Sequence, residues 1–380
     1  MKIMICGGGT AGHVYPGLAL AEALKEAIAG VEIIWVGCDN GLECQVVPEA
    51  GYQLETLPIR GLPRKPSLEF VDFASKLVIS SIRARRLIKK HNPNIVVGMG
   101  GFASFPMVMS AKRQGIPTVI HEQNAVLGLA NRKLSSHVDV VALAYDDSQK
   151  VLDNAQNVKV VGNPVRRDIF GVDRATALQK LGLADGQKTL LIFGGSRGAL
   201  KINEAAISAY DLLRQSQDLQ IVHIAGTRDF DDIKEKLNQA KRPADRVNYH
   251  LFPYIEEIGL AYSVADLAVT RAGASTAAEL TASGLPALLV PYPWATDNHQ
   301  LANAKRLESA GAAGIILDES LNAQLLWQAV SDLIYNPLEL KKMSECSKIL
   351  GRPQAANELA ATVMETAVKV MAKTGRKNLS

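Results

Sequence analysis

A glycine-rich stretch, "CGGGTAGHVYPGLALAEAL" at residues 6–24, ends its loop in a histidine, His13. Glycines let a backbone approach an anion, and a helix beginning there offers free N–H groups and partial positive charge. Histidine titrates near neutral pH and is a natural general base. Other stretches share this character: "GMGGFASFP" at 98–106, "HEQN" at 121–124, "GGSRGA" at 194–199, "RAGASTAAE" at 271–279 and "PYPWATDNHQ" at 291–300. One such loop is a weak signal, because strand-to-helix turns need glycine for steric reasons alone. Several together point to a phosphorylated ligand.

The spacing Gly7-x-Gly9-x-x-Gly12 also satisfies the dinucleotide fingerprint, with Asp39 as a candidate ribose ligand. That reading leaves His13, "RAGASTAAE" and "DNHQ" without a role, so the match is accidental. "DFD" at 229–231 imitates an Asp-x-Asp metal signature but falls at a predicted helix start, where acids suit the helix dipole. No metal site and no cofactor are expected. Cys6, Cys38, Cys44 and Cys346 have no metal-ligand spacing and are expected to be reduced thiols.

These loops need strands to carry them. Short apolar runs alternate with amphipathic stretches: 2–6, 31–36, 94–98, 118–121, 138–142 and 158–161, then 189–193, 220–224, 247–250, 267–270, 287–290 and 314–317. Near-continuous apolar strands separated by helices predict parallel sheets covered on both faces, with ligands beyond the strands' carboxyl ends. "GNPVRRDIFGVDR" at 162–174 breaks the alternation and reads as a hinge, after which strand, glycine loop and helix restart. The expected fold is α/β, two doubly wound parallel-sheet domains facing across a cleft, at 1–163 and 164–352. A helix at about 353–372 could pack on either domain. A formal charge of +4 does not by itself call for nucleic acid. The N-terminus shows no signal peptide and no segment reaches the length of a membrane span, so a cytoplasmic protein is expected.

Taken in order, "GGGTAGHVYPGLALAEAL", "GMGGFASFP", "HEQN", "VGNPVR", "GGSRGA", "RAGASTAAELTASGLPALLVPYP" and "DNHQLANA" resemble the family of bacterial N-acetylglucosaminyltransferases that form lipid II. The resemblance runs from residue 2 to about 320. It implies a GT-B architecture and inverting transfer from UDP-N-acetylglucosamine to the 4-hydroxyl of undecaprenyl-pyrophosphoryl-N-acetylmuramoyl-pentapeptide in peptidoglycan synthesis. Ala11, where the family often has glycine, and Arg197, where glutamine is usual, depart from the pattern. For the donor the resemblance implies Ala274, Ser275 and Thr276 at the diphosphate, Ala277 and Ala278 in the same donor site, and Glu279 at the ribose. Ser196, Ile255 (backbone, reading uracil) and Arg166 complete the nucleotide site, and Gln300 or its neighbour His299 meets the sugar. For the acceptor it implies Thr10, Ala11, Gly12, Gly100 and Gly101 at the lipid pyrophosphate and Asn124 at the sugar. His13 is the leading base; Glu122 and His121 are its rivals.

Residues 62–90, "LPRKPSLEFVDFASKLVISSIRARRLIKK", set Arg64, Lys65, Lys76, Arg83, Arg85, Arg86, Lys89 and Lys90 among Phe70, Phe73, Leu77 and aliphatics. A core-packed amphipathic helix with a solvated basic face would give the same pattern. The lipid acceptor implied by the resemblance favours peripheral attachment to an anionic membrane surface, at the cytoplasmic face and in company with other cell-wall synthesis and division proteins. The second reading is another two-domain enzyme, a sugar-nucleotide epimerase, which needs no lipid-docking surface, or a transferase with a soluble or glycolipid acceptor; the third, a nucleotide-binding scaffold, predicts nucleotide binding without sugar transfer.

Overall fold

The computed structural model describes residues 1–61, 68–152, 157–195 and 199–374. Seven strands, β1 (Lys2–Cys6), β2 (Glu32–Cys38), β3 (Gln53–Leu57), β4 (Ile95–Gly98), β5 (Thr118–Glu122), β6 (Val140–Leu143) and β7 (Val158–Val160), form one parallel sheet in the order β3-β2-β1-β4-β5-β6-β7. Six more, β8 (Lys188–Phe193), β9 (Leu219–Ile224), β10 (Asn248–Phe252), β11 (Leu267–Thr270), β12 (Ala287–Leu289) and β13 (Ala313–Ile315), form a second in the order β10-β9-β8-β11-β12-β13. The strand order reverses direction between β1 and β4 in the first sheet and between β8 and β11 in the second. Such switch points splay the following loops apart and leave a crevice for a ligand.

Backbone contacts divide the chain into Met1–Arg166 with the segment from Pro353, and Arg167–Arg352. In the first unit the strand alternation sends Ile3, Ile5 and Val97 to one face of the sheet and Met4, Cys6 and Val96 to the other. The helix Ala11–Ala27 covers the first face together with Ala355–Thr374, whose Leu359, Val363 and Ala367 are fully buried there. The C-terminal helix therefore belongs to the first unit. On the other face lie Ser104–Arg113 and the second half of Leu68–His91. In the second unit Leu190, Ile192 and Val269 pack under Leu200–Ser208 and Ala323–Ile334.

β3 was not expected. Its sequence, QLETL, is polar, and as an edge strand it pairs only with β2 and stays half-exposed, so it lacks the apolar run that marks the others. The stretch expected as a hinge contains Asp173, whose carboxylate caps Arg174–Leu181 by accepting from Thr176 N–H.

Candidate active site

In the first unit the switch-point loops meet closely. Met99 N–H donates to Cys6 O at 2.7 Å, and Ser104 Oγ lies 2.7 Å from both Cys6 O and Gly100 O. The Trp35 indole donates to Gly7 O at 2.8 Å, fixing the start of the first loop. Gly100 and Gly101 have φ of +93° and +79°, a conformation that favours glycine. A Cβ on Gly100 would come within 2.7 Å of the His13 ring, and one on Gly101 within 2.6 Å of Gly8 O. The loops thus bring Thr10, Ala11, Gly12, His13, Gly100 and Gly101 together.

Thr10 is the N-cap of Ala11–Ala27 in extended conformation, and its carbonyl accepts from His13 and Val14 N–H. His13 Nδ1 lies 3.0 Å from Gly8 O and 3.1 Å from Thr10 Oγ1. A carbonyl only accepts, so the Gly8 contact places the proton on Nδ1 and leaves the lone pair on Nε2. Nε2 lies on the side of the ring that faces Gly100. The imidazole is half-buried.

The "HEQN" residues are organised differently. Glu122 is 2 % exposed, and four donors meet its two oxygens: Asn124 N–H and Nδ2 on Oε1, Gly128 N–H and Asn131 Nδ2 on Oε2, at 2.9–3.1 Å. Its lone pairs are committed to holding the 123–128 loop. His121 is fully buried, with Nε2 2.9 Å from Gly162 O and Nδ1 accepting from Gln123 Nε2. Burial pulls its pKa down to about 4, so it is neutral near pH 7. Asn124 is half-buried, its amide donating to Glu122. Arg166 stands over the Tyr15 ring at 4.7 Å, within the first unit.

In the second unit the helix Ala274–Ser283 starts from Gly273, which is extended at the N-cap, immediately after β11. Ala274 and Ala277 are buried, while Ser275, Thr276 and Ala278 are half-exposed. The Ser275 hydroxyl is shielded from solvent without a hydrogen-bond partner among the described residues. Glu279 is buried and accepts from Tyr262 Oη at 2.9 Å, so one oxygen is already oriented. Asn303 Nδ2 donates to Ala272 O, tying His299–Ser309 to the same turn. Asp297 and Asn298 adopt φ of +50° and +53°, strained for non-glycine residues, and deliver His299 and Gln300 at the helix start. Gln300 Oε1 accepts from Tyr292 N–H at 2.9 Å. Ile255 is buried, three residues after the end of β10. Ser196 and Arg197 lie outside the described residues. Asp229 is the N-cap of Phe230–Ala240 and pairs with Arg228, while Asp231 is in the helix's first turn.

Sequence reasoning missed Glu43, Trp35, Asn131 and Tyr262, all of which brace residues of the two loop clusters. Asn131 and Glu43 are polar residues at helix starts, and only their burial and their contacts in the fold distinguish them from ordinary surface residues.

Residues 3–143 match the glycosyltransferase family 28 N-terminal domain, and residues 189–359 match the glycosyltransferase family 28 C-terminal domain. The chain is 42% identical over 370 residues to the UDP-N-acetylglucosamine–N-acetylmuramyl-(pentapeptide) pyrophosphoryl-undecaprenol N-acetylglucosamine transferase of Halothermothrix orenii, covering 97% of this chain and 99% of the relative. It is 41% identical to the protein of the same description from Desulforamulus reducens, over 96% of this chain and 98% of that one. Among solved structures, Acinetobacter baumannii MurG superposes with a TM-score of 0.75 at 30% identity, covering 96% and 99% of the two chains. A Listeria monocytogenes protein described as a UDP-N-acetylglucosamine 2-epimerase has a TM-score of 0.70 at 17% identity, over 99% of this chain and 97% of its own, a likeness of fold alone.

Proposed function

The chain belongs to glycosyltransferase family 28, and from that footing we infer that it transfers N-acetylglucosamine from UDP-N-acetylglucosamine to the lipid-linked N-acetylmuramoyl-pentapeptide, converting lipid I to lipid II in peptidoglycan synthesis. Both sheets have the GT-B arrangement of the solved relative. The acceptor 4-hydroxyl attacks the anomeric carbon, the bond to UDP breaks with inversion, and the electron pair leaves on the diphosphate.

The observation that carries the mechanism is the 3.0 Å contact between His13 Nδ1 and Gly8 O. With Nδ1–H engaged by Gly8 O, Nε2 is the atom that takes the acceptor's proton as the new bond forms. Glu122 is the poorer candidate because its oxygens already accept four hydrogen bonds. His121, buried and bonded on both nitrogens, is poorer still. On the donor side, the amides at Ala274–Thr276 and the Ser275 hydroxyl suit the diphosphate, whose growing charge the helix N-terminus stabilises. Glu279 takes the ribose hydroxyls and the Gln300 amide the sugar hydroxyls. The first unit takes the acceptor and the membrane; the second takes the nucleotide sugar.

Attachment to the membrane falls to the helix Leu68–His91. Its Phe70, Val71, Val78, Ile79 and Ile82 are all more than 50 % exposed. Arg83, Arg86 and Lys90 with Ile79, Ile82, Leu87 and Glu55 line a groove of about 520 Å³ on the same helix. Apolar side chains ringed by basic ones suit an anionic bilayer at the cytoplasmic face, where the acceptor's lipid tail resides. Phe73 and Leu77 are half-buried, and Arg64 and Lys65 lie outside the described residues. Among the described residues no helix is long and apolar enough to cross a membrane.

The test is transfer of labelled N-acetylglucosamine to a lipid I analogue by wild type, His13→Ala and Glu122→Ala. His13→Ala should lower turnover by about 10²–10⁴-fold with UDP-sugar affinity retained. Loss of turnover in Glu122→Ala alone, with a folded protein, would move the base to the 121–124 segment.

A further inference from the structure

Glu43, the first residue of the short helix Glu43–Glu49, is fully buried, and both its oxygens meet backbone amides. Oε1 accepts from Cys38 N–H at 2.7 Å, at the end of β2, and Oε2 accepts from Gly9 N–H at 2.8 Å, in the first glycine loop. The peptide that presents Gly9 N–H on one side presents Gly8 C=O on the other. That carbonyl lies 3.0 Å from His13 Nδ1. A hydrogen-bonded line therefore runs from a buried carboxylate, through one peptide group, to the imidazole.

We propose that Glu43 is the positioning residue of the His13 base, acting through the Gly8–Gly9 peptide. The inference rests on the reading of His13 as base and adds to it what holds and tunes that base. Negative charge at Gly9 N–H polarises the peptide and makes Gly8 O the stronger acceptor. A stronger acceptor holds Nδ1–H, keeps the lone pair on Nε2 and stabilises the imidazolium formed when Nε2 takes the acceptor's proton. This is the service a carboxylate gives directly to histidine in a Ser-His-Asp triad, here relayed by one peptide.

The surroundings are shaped for this line. A Cβ on Gly8, Gly37 or Gly41 would overlap the Glu43 side chain, so three glycines from three segments make its chamber. Gly101 gives the Gly8 carbonyl room on its other side, and Gly100 does the same for the imidazole. A glutamine cannot replace the carboxylate evenly. Both partners are N–H donors, so one of them would face the amide's own NH₂. The charge is felt locally: burial first, and then Glu43, push the Cys38 thiol up to about 12.

The experiment is a double-mutant cycle on the full chain with Glu43→Gln, His13→Ala and the pair, measuring kcat with a lipid I analogue and KM for UDP-N-acetylglucosamine. Alongside it, ring ¹⁵N shifts of His13 read the tautomer. Expected are a kcat lowered about 10–100-fold in Glu43→Gln, an unchanged donor KM, and a double variant no slower than His13→Ala alone. Wild type should show the Nδ1–H tautomer, and Glu43→Gln a mixture. The proposal is overturned if the two losses multiply in the double variant, or if Glu43→Gln keeps full kcat while His13→Ala does not. Full turnover in His13→Ala would instead sink the base assignment itself. Should Glu43→Gln not fold, Glu43→Asp keeps the charge one methylene further from Gly9 and enters the same cycle with the same expectations. An Nε2–H tautomer in wild type overturns the proposal without any variant.

Discussion

At the scale of single residues, three histidines show how environment divides one side chain among roles. His13 is half-buried in the first turn of Ala11–Ala27 with one nitrogen engaged, whereas His121 and His223 are wholly buried and bonded on both. Burial lowers their pKa values from 6.5 to about 4 and about 3 respectively. Each is neutral in the fold but protonates in the unfolded chain below about 6.5, so between that value and the folded pKa the unfolded state binds more protons. Stability should be level above pH 6.5 and fall as pH drops toward 4. Urea unfolding measured across that range checks it, with a shallower slope expected in His121→Gln and His223→Gln together. An equal slope would mean that these imidazoles charge freely in the native state.

At the scale of the element, Leu68–His91 is two helices in one. Its second half buries Ser80, Ala84, Leu87 and Ile88 along one stripe against the sheet. Its first half turns Phe70 and Val71 outward, and the exposed Val78, Ile79 and Ile82 continue that apolar surface past the basic residues. A solvated face would carry polar groups at these positions. Basic side chains near anionic lipid are worth about 1 kcal/mol each, so replacing Arg83, Arg86 and Lys89 by Ser should weaken binding to anionic vesicles by about 100-fold. Lys90 is left in place because it pairs with Glu55 at 2.8 Å. Vesicle flotation with and without anionic lipid measures this, and equal binding of both proteins would assign the exposed face to another partner.

At the scale of the whole molecule, the chain leaves its first unit at Arg166 and returns to it at Pro353. Leu359 and Val363 are fully buried in that unit's core and contribute about 1.5–3 kcal/mol each. Truncation after Arg352 should therefore loosen β1, β2 and β4 while leaving β8, β9 and β11 intact. Hydrogen exchange read strand by strand would report this as lost protection in the first sheet alone. Equal protection in both units would show that the terminal helix only decorates the surface.

Parallel strands and their glycine loops were legible in the sequence because strands buried on both faces must be apolar along their length and anion-facing turns must spare a Cβ. QLETL was illegible because an edge strand has no such requirement. His13 could be singled out from its loop, but its tautomer depends on Gly8 O, and the ranking of His13 over Glu122 depends on which lone pairs the fold leaves open. Glu43 reads locally as a helix-start acid. Only the packing of the segments that contribute Gly8, Gly37 and Gly41 makes it a buried carboxylate one peptide away from the imidazole. Residue types and short-range periodicity determined which groups were available and which sheets carried them. The folded path of the loops decided which lone pair stayed free, because sequence spacing does not reveal which nearby donor or acceptor the backbone turns toward a side chain.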